Sequence, residues 1–248
     1  MRYGRSSPWE SVMARLPNLV AAIGNHDRRG KPTIAHIARL VRDNELIASR
    51  TRGVGAAVMT MTDATTLLLG VIGDSSPGGA LAAIANLKAL RPLPWDKIDE
   101  MQREDLPEVL QFLRPRRGFA ETLEQLLVHA PQLAEWARGF SPDAAEQVLH
   151  SQSSQEVSIL RGANKFRAAG VSVLPPYEKP IRIVSYVPGL AAEIHLGMPW
   201  DQDHNDGYHE YFCHPDVWSN GDAVTDCLCT MEIGLPILLA LHKAVVGD

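Results

Sequence analysis

The sequence predicts an α+β protein, with helices in the first part of the chain and a small antiparallel sheet near its end. In the first part, apolar residues such as Ile34, Ile37 and Val41 recur at the spacing of one helix face. Beyond Gln155, apolar and polar residues alternate, which is typical of half-buried strands. A final helix is predicted over residues 237–246.

Proline, glycine and capping residues mark the first helices. Residues 17–23 have helical spacing and are followed by Gly24, which favours a helix end. A basic connection, Asn25–Pro32, leads to a second helix over Thr33–Asn44. Thr33 is its predicted N-cap, because a threonine hydroxyl can accept a backbone N–H at that position. The next two apolar residues, Leu46 and Ile47, are expected to pack where the helix ends.

A charged turn follows the second helix. Arg50–Gly55 contains two arginines and two glycines, so the chain can turn sharply and carry charge outward. Short strands are predicted on both sides of this turn. Thr60 or Thr62 then caps a helix over 63–72, which is apolar nearly all round and should be buried.

The predicted domains are an N-terminal domain over 1–90, a linker over 91–117 and an α+β domain over 118–248. Helix 80–90 closes the first domain, and the linker is rich in proline and charge. The last domain begins with an amphipathic helix, bent at a proline, and continues into the sheet. Its predicted helix and strands are 119–137, 181–187, 192–196, 208–214 and 224–231.

Composition and charge limit the class of protein. With 248 residues, 45% hydrophobic and 21% charged, the chain is globular, and no apolar run approaches the ~20 residues of a membrane span. Its three cysteines favour a reducing, cytoplasmic location over a disulfide framework. Residues 1–60 carry ten Lys and Arg against four acids, a net +6, whereas the whole chain carries −5. A basic module joined to an acidic one is typical of a nucleic-acid binder with a second domain.

The region 199–216 is acidic and rich in histidine, which makes it the first candidate for a metal site. Its calcium-like run fails at the sixth position, where Asp206 replaces glycine. Cys213, Cys227 and Cys229 could form a zinc site on neighbouring strands, but small cysteines in strands are more often core residues. No phosphate loop, nucleophile elbow or dinucleotide fingerprint is present, so no catalytic residue, metal or cofactor is predicted.

The stretch 33–69 resembles the recognition helix and wing of winged helix-turn-helix DNA-binding proteins, MarR-like ones especially. In those proteins a helix ending in a leucine-isoleucine pair leads to a strand, an Arg/Gly-bearing wing and a strand that ends near a capping threonine. The resemblance implies that helix 17–23 is the supporting helix and that helix 33–44 enters the major groove.

The resemblance also implies which side chains contact DNA. His36, Arg39 and Arg42 would face bases or phosphates from the helix. Arg50 and Arg52 would reach the minor groove or backbone from the wing, and the basic connection would touch phosphates. The predicted DNA-binding residues are Arg28, Arg29, Lys31, Thr33, His36, Arg39, Arg42, Arg50 and Arg52.

The leading hypothesis is a cytoplasmic, homodimeric, sequence-specific binder of double-stranded DNA that regulates transcription. Its acidic C-terminal domain would dimerise or bind a partner protein. One alternative is a protein-protein interaction module or inhibitor that acts through this acidic domain. Others are a DNA binder for packaging or plasmid maintenance, and an enzyme whose site is assembled from distant residues.

Overall fold

The computed structural model describes eight segments of the chain: 14–48, 57–92, 106–138, 154–157, 181–187, 191–196, 208–215 and 229–247. Within these segments the chain forms seven α-helices, two short 3₁₀ helices and a six-stranded antiparallel sheet. The predicted α+β class is therefore confirmed. None of the helices in these segments is long and apolar enough to cross a membrane.

The helices, numbered in chain order, are α1 to α7. Their bounds are Leu16–Gly24, Gly30–Asp43, Met61–Ile72, Ala80–Ala89, Phe119–Val128, Ala130–Arg138 and Leu235–Val246. The 3₁₀ helices cover Pro77–Gly79 and Glu108–Leu113. The predicted amphipathic helix over 119–137 is divided at His129, because Pro131 cannot continue the hydrogen-bond ladder of α5 and instead lies in the first turn of α6.

The strands β1 to β6 are Arg91–Pro92, Ser154–Val157, Ile181–Val187, Ala191–Leu196, Tyr208–Cys213 and Cys229–Ile233. They lie in the order β1-β5-β4-β3-β6-β2. The four strands predicted from alternation form the centre of the sheet. The edge strand β1 lies in the predicted linker, and β2 is not among the predicted strands, because two to four residues carry too little periodicity to reveal a strand.

Helix α3 lies at the centre of the helical part. Ten of its twelve residues are buried, and it contacts α2, α4, α5 and α7. Thr60 is its N-cap: the Thr60 hydroxyl accepts the backbone N–H of Asp63, and the Asp63 carboxylate accepts the backbone N–H of Thr60. This capping box confirms the predicted start of the helix and explains why an all-round apolar helix can begin at the surface.

One hydrophobic core runs through the described residues. It includes Leu68 of α3, Leu110 of the second 3₁₀ helix, Phe119 of α5 and Ile194 of β4. Phe119 also contacts Phe212 of β5 edge-on, with ring centroids 5.3 Å apart. The division into two domains joined by a linker over 91–117 stays a prediction. Apolar side chains from both predicted domains and from the predicted linker belong to this one core.

Two predictions near the second helix are wrong. Thr33 is not the N-cap of α2, because the helix begins at Gly30 and Pro32 lies in its first turn, where a missing N–H has no cost. The connection from α1 is therefore Asn25–Arg29, shorter than expected. No strand is formed by the described residues beside the charged turn, 46–48 and 57–60. The turn itself, including Arg50 and Arg52, lies outside the described residues.

Candidate nucleic-acid interface

Helices α1 and α2 pack together, and α2 buries one face against its neighbours. The buried face consists of Ile34, Ile37, Ala38 and Val41, as the helical spacing predicted, and none of these side chains is more than 2% exposed. Burial of an apolar stripe of this kind holds a surface helix to the protein and determines which residues it presents outward.

The exposed side of α2 carries a line of cationic residues. Lys31, Ala35, Arg39 and Arg42 follow one another four, four and three residues apart, so they lie along one face, and all four are exposed. We call these four residues the α2 stripe. His36 is exposed beside it. Ala35 is the uncharged residue of the stripe, and its short side chain lies between the longer cationic side chains of Lys31 and Arg39.

The two arginines of the stripe differ in their surroundings. Arg42 donates from Nε and Nη2 to Oδ1 of Asp43, at 3.0 and 2.7 Å, and both side chains are about half exposed. Such an exposed pair contributes little to stability but lowers the net positive charge at this end of α2. Arg39 lies one turn earlier, and within the described segments its guanidinium forms no ion pair.

The C-terminus of α2 turns the chain towards α3. The N–H of Leu46 donates to the carbonyl of Val41, and that of Glu45 to the carbonyl of Arg42, which together form a Schellman motif. Glu45 takes the left-handed conformation that the motif requires, with φ of 59°. The turn buries Ile47 but leaves Leu46 39% exposed, so the prediction that both residues pack is confirmed for Ile47 alone.

Asp63 accepts hydrogen bonds from the chain on both sides of residues 49–56, the segment that includes the predicted turn with Arg50 and Arg52. Its Oδ1 accepts the backbone N–H of Ala48 at 2.9 Å, and its Oδ2 accepts the backbone N–H of Thr60 at 2.8 Å. One carboxylate therefore fixes the chain just before the turn and just after it. The bond to Ala48 joins residues that are fifteen positions apart, so no local pattern in the sequence indicates it.

Arg29, a predicted phosphate contact, has internal partners. It forms a two-bond ion pair with Asp27, through Nε at 3.0 Å and Nη2 at 2.7 Å. Its guanidinium also donates to the carbonyls of Val71, at the end of α3, and Asp74. The side chains of Arg29 and Asp27 are only 12% and 4% exposed. Arg29 thus ties the α1–α2 connection to α3, whereas its neighbour Arg28 is exposed.

Thr33 also forms a bond within its own helix. Its Oγ1 donates to the carbonyl of Arg29 at 3.1 Å, and the residue is half-buried. This bond is the usual one for a threonine hydroxyl four residues along a helix. Of the seven predicted DNA-binding residues that the structure describes, five are exposed at the surface: Arg28, Lys31, His36, Arg39 and Arg42.

The sheet contains a buried polar cluster that the sequence did not predict. Arg182 donates from Nε to Glu232 at 3.0 Å, and their side chains are 4% and 13% exposed. On the same face, the hydroxyl of Tyr186 donates to Glu193, whose other carboxylate oxygen lies 2.8 Å from Nε2 of His195. The alternation that places Glu193 and His195 on one face of a strand was the available signal. The bonds from Tyr186 to Glu193 and from Arg182 to Glu232 depend on the strand register, which the sequence did not reveal.

Cys213 and Cys229 do not lie on neighbouring strands, as the predicted zinc site requires, and Cys227 lies outside the described residues. Cys213 lies on β5 and Cys229 on β6, and β4 and β3 lie between them. At the usual spacing of strands these residues are separated by about 14 Å. Cys213 is a buried free thiol, and burial raises its pKa. Within the described segments, no three His, Cys, Asp or Glu residues are grouped so that they could hold a metal ion.

Comparisons with protein-family models, with curated proteins and with solved structures find no match to this chain. Its function is therefore inferred from the placement of its own residues.

Replacing Arg29 by alanine should destabilise the protein by about 3–5 kcal/mol, because it leaves the buried carboxylate of Asp27 without its partner. Urea denaturation of the full chain measures the change. Arg28→Ala is the matched control, since Arg28 is exposed and its loss should change the free energy of unfolding by within about 0.5 kcal/mol. Equal stability of the two variants would show that the Arg29 bonds are not important for the fold.

His26 should make the stability depend on pH. Burial lowers the pKa of this histidine from its ordinary value of 6.5. As the pH falls below that value, the unfolded chain binds a proton at His26 more readily than the folded chain, so the folded state loses stability until its own, lower pKa is passed. The free energy of unfolding should therefore decrease less between about pH 7.5 and 5.5 in His26→Gln than in the wild type. The same decrease in both proteins would contradict this.

Proposed function

We propose that the protein is a sequence-specific binder of double-stranded DNA that acts as a homodimer and regulates transcription, with α2 as the element that enters the major groove. The observation that carries this proposal is the α2 stripe: cationic and small residues occupy the exposed side of a helix whose other side is held in the core. A basic helix face is the feature by which many DNA-binding domains meet the phosphate backbone and the base edges.

The dimensions of α2 suit this role. With fourteen residues it is roughly 20 Å long, and an α-helix fits the major groove, which is about 12 Å wide. Arg39 lies between Ala35 and Arg42 on the exposed face, where it could donate two hydrogen bonds to the edge of a guanine. Lys31 and Arg42, nearer the two ends of the helix, would meet phosphates on either side of the groove.

The turn 49–56 supplies the second contact in this proposal. It follows closely on the end of α2, and Asp63 fixes the chain on both sides of it. The chain on both sides of residues 49–56 is thus held to the first turn of α3, which packs against α2. We therefore assign Arg50 and Arg52 a wing-like role, in which they contact the backbone or minor groove beside the helix.

A homodimer follows from the small size of the recognition element. One recognition helix contacts only a few base pairs, and two-fold symmetric proteins extend the site to two half-sites about one helical turn apart. Selection of bound duplexes from a random pool, with the full chain, tests both parts of the proposal. The expected result is a palindromic motif with this spacing. Failure to enrich any motif would contradict sequence-specific binding.

Arg39→Ala should weaken binding to the selected duplex by about 1–3 kcal/mol and relax the preference at one base position. The measurement is duplex binding at several salt concentrations, with melting curves to confirm folding. Lys243→Ala is the control, since Lys243 is an exposed cation on α7, outside the α2 stripe.

The same measurement of duplex binding at several salt concentrations tests whether Arg50 and Arg52 contact DNA. Arg50→Ala/Arg52→Ala should weaken binding to all sequences and flatten the plot of log affinity against log salt by ~0.9 for each phosphate that the variant no longer neutralises. If Arg39→Ala behaves like Lys243→Ala, and the double variant keeps the wild-type slope, neither α2 nor the turn contacts DNA.

Asp43→Asn should strengthen DNA binding. The substitution removes the carboxylate that pairs with Arg42 and leaves the guanidinium free to meet a phosphate. It also removes a negative charge from the C-terminus of α2, where the helix dipole disfavours it, so the fold should not suffer. The affinity should increase and the salt dependence should become steeper by ~0.9 if Arg42 neutralises one more phosphate. A weaker complex would mean that Asp43, rather than Arg42, is needed at the interface.

A further inference from the structure

A second cationic site lies outside α2, in a cleft of about 440 Å³ at the edge of the sheet. It is formed where β1, the loop after the second 3₁₀ helix and the first turn of α5 meet. We call it the arginine cleft, and its lining residues are Arg91, Pro92, Arg116, Arg117, Gly118 and Glu121. Its volume is within the range of ~300–1,000 Å³ that small-molecule sites usually have.

Two of the three arginines are held in place by backbone carbonyls rather than by carboxylates. Arg91 donates from Nη1 to the carbonyls of Lys88 and Leu90, both at 3.1 Å. Arg117 donates from Nη1 to the carbonyl of Phe112 at 2.8 Å. These bonds use one nitrogen of each guanidinium, and no carboxylate among the described residues forms an ion pair with either side chain. The geometry of both side chains is therefore set before any ligand binds, which lowers the entropic cost of binding.

The start of α5 adds to the positive potential of the cleft. Gly118 is its N-cap residue, no side chain caps this end, and the N–H of Phe119 donates to the carbonyl of Leu90. The positive end of the helix dipole thus lies beside the Arg91 guanidinium, although charges of the same sign repel each other. Gly118 allows this approach, because an added Cβ would lie 2.8 Å from Nη1 of Arg91.

Among the described residues, those that line the cleft carry three positive charges and one negative charge, that of Glu121. We propose that the arginine cleft binds a phosphate group, which could accept hydrogen bonds from several guanidinium nitrogens and relieve their repulsion from the helix start. The phosphate belongs either to a small phosphorylated molecule or to the backbone of a nucleic acid. The proposal is independent of the role of α2, because no residue of α2 lines the cleft.

Calorimetric titration of the full chain with inorganic pyrophosphate, in a chloride buffer, tests the site. One pyrophosphate per chain should bind saturably. Arg116→Ala should weaken binding about tenfold or more, since a charged hydrogen-bond donor is removed. Gly118→Ala should also weaken it while keeping every charge, because the new methyl group displaces the Arg91 guanidinium. Melting curves of both variants confirm that they fold.

Arg114→Ala is the matched control: Arg114 is exposed, two residues from Arg116, and does not line the cleft. Its affinity for pyrophosphate should remain within about twofold of the wild type. The proposal is overturned if no saturable binding occurs up to about 10 mM pyrophosphate, or if Arg114→Ala weakens binding as much as Arg116→Ala.

Duplex DNA distinguishes the two sources of the phosphate. If the group belongs to DNA, pyrophosphate should compete with the duplex, and Arg116→Ala should reduce the salt slope of DNA binding by ~0.9. If it belongs to a small molecule, Arg116→Ala should lose pyrophosphate binding while the affinity for the duplex and its salt slope stay at wild-type values.

Discussion

The bonds of the Asp63 carboxylate connect the parts of this protein on which its proposed function depends. One oxygen accepts the N–H of Ala48, and the other accepts the N–H and the hydroxyl of Thr60. The same residue starts α3, the helix around which the other helices pack. A single side chain therefore couples the beginning of the central helix to the base of the arginine-bearing turn. Because the carboxylate is nearly buried, its bonds are shielded from water and are correspondingly stronger.

The arginines of the described segments have three different roles, which follow from their surroundings and not from their charge. Arg29 and Arg182 are almost completely buried and pair with carboxylates, so they hold elements together. Arg91 and Arg117 donate to backbone carbonyls and keep an uncompensated charge. Arg39 is exposed on a rigid helix. The last two arrangements leave positive charge for an anionic partner, and they occur in the arginine cleft and in the α2 stripe, where Arg39 lies beside the paired Arg42.

The sheet has one face in the hydrophobic core and a polar cluster on the other. Ile183, Ile194 and Phe212 belong to the core, whereas Arg182, Glu193 and His195 alternate with such residues along the same strands. Arg182 and Glu193 are nevertheless buried: Arg182 pairs with Glu232, and Glu193 bonds to His195. Buried polar groups are stable only when they are paired, so this cluster makes the strand register more specific than apolar contacts alone would.

Periodicity and capping residues in the sequence by themselves determined the α+β class, the core faces of the helices and the four central strands. They succeeded because burial of apolar residues follows the helix and strand repeats, and because a capping threonine acts on residues only three positions away. The predicted start of α2 is too late, since Pro32 suggests a barrier although a proline is tolerated in the first helical turn.

Only the tertiary structure decided which charged residues are available to a ligand. Arg28 and Arg29 are neighbours in the sequence, but the carbonyls of Val71 and Asp74 engage Arg29 alone. The arginine cleft likewise joins residues 91–92 to residues 116–121, and the separation of Cys213 from Cys229 depends on the order of the strands. Partners that are far apart in the chain leave no local pattern, because their contact is set by the packing of whole elements.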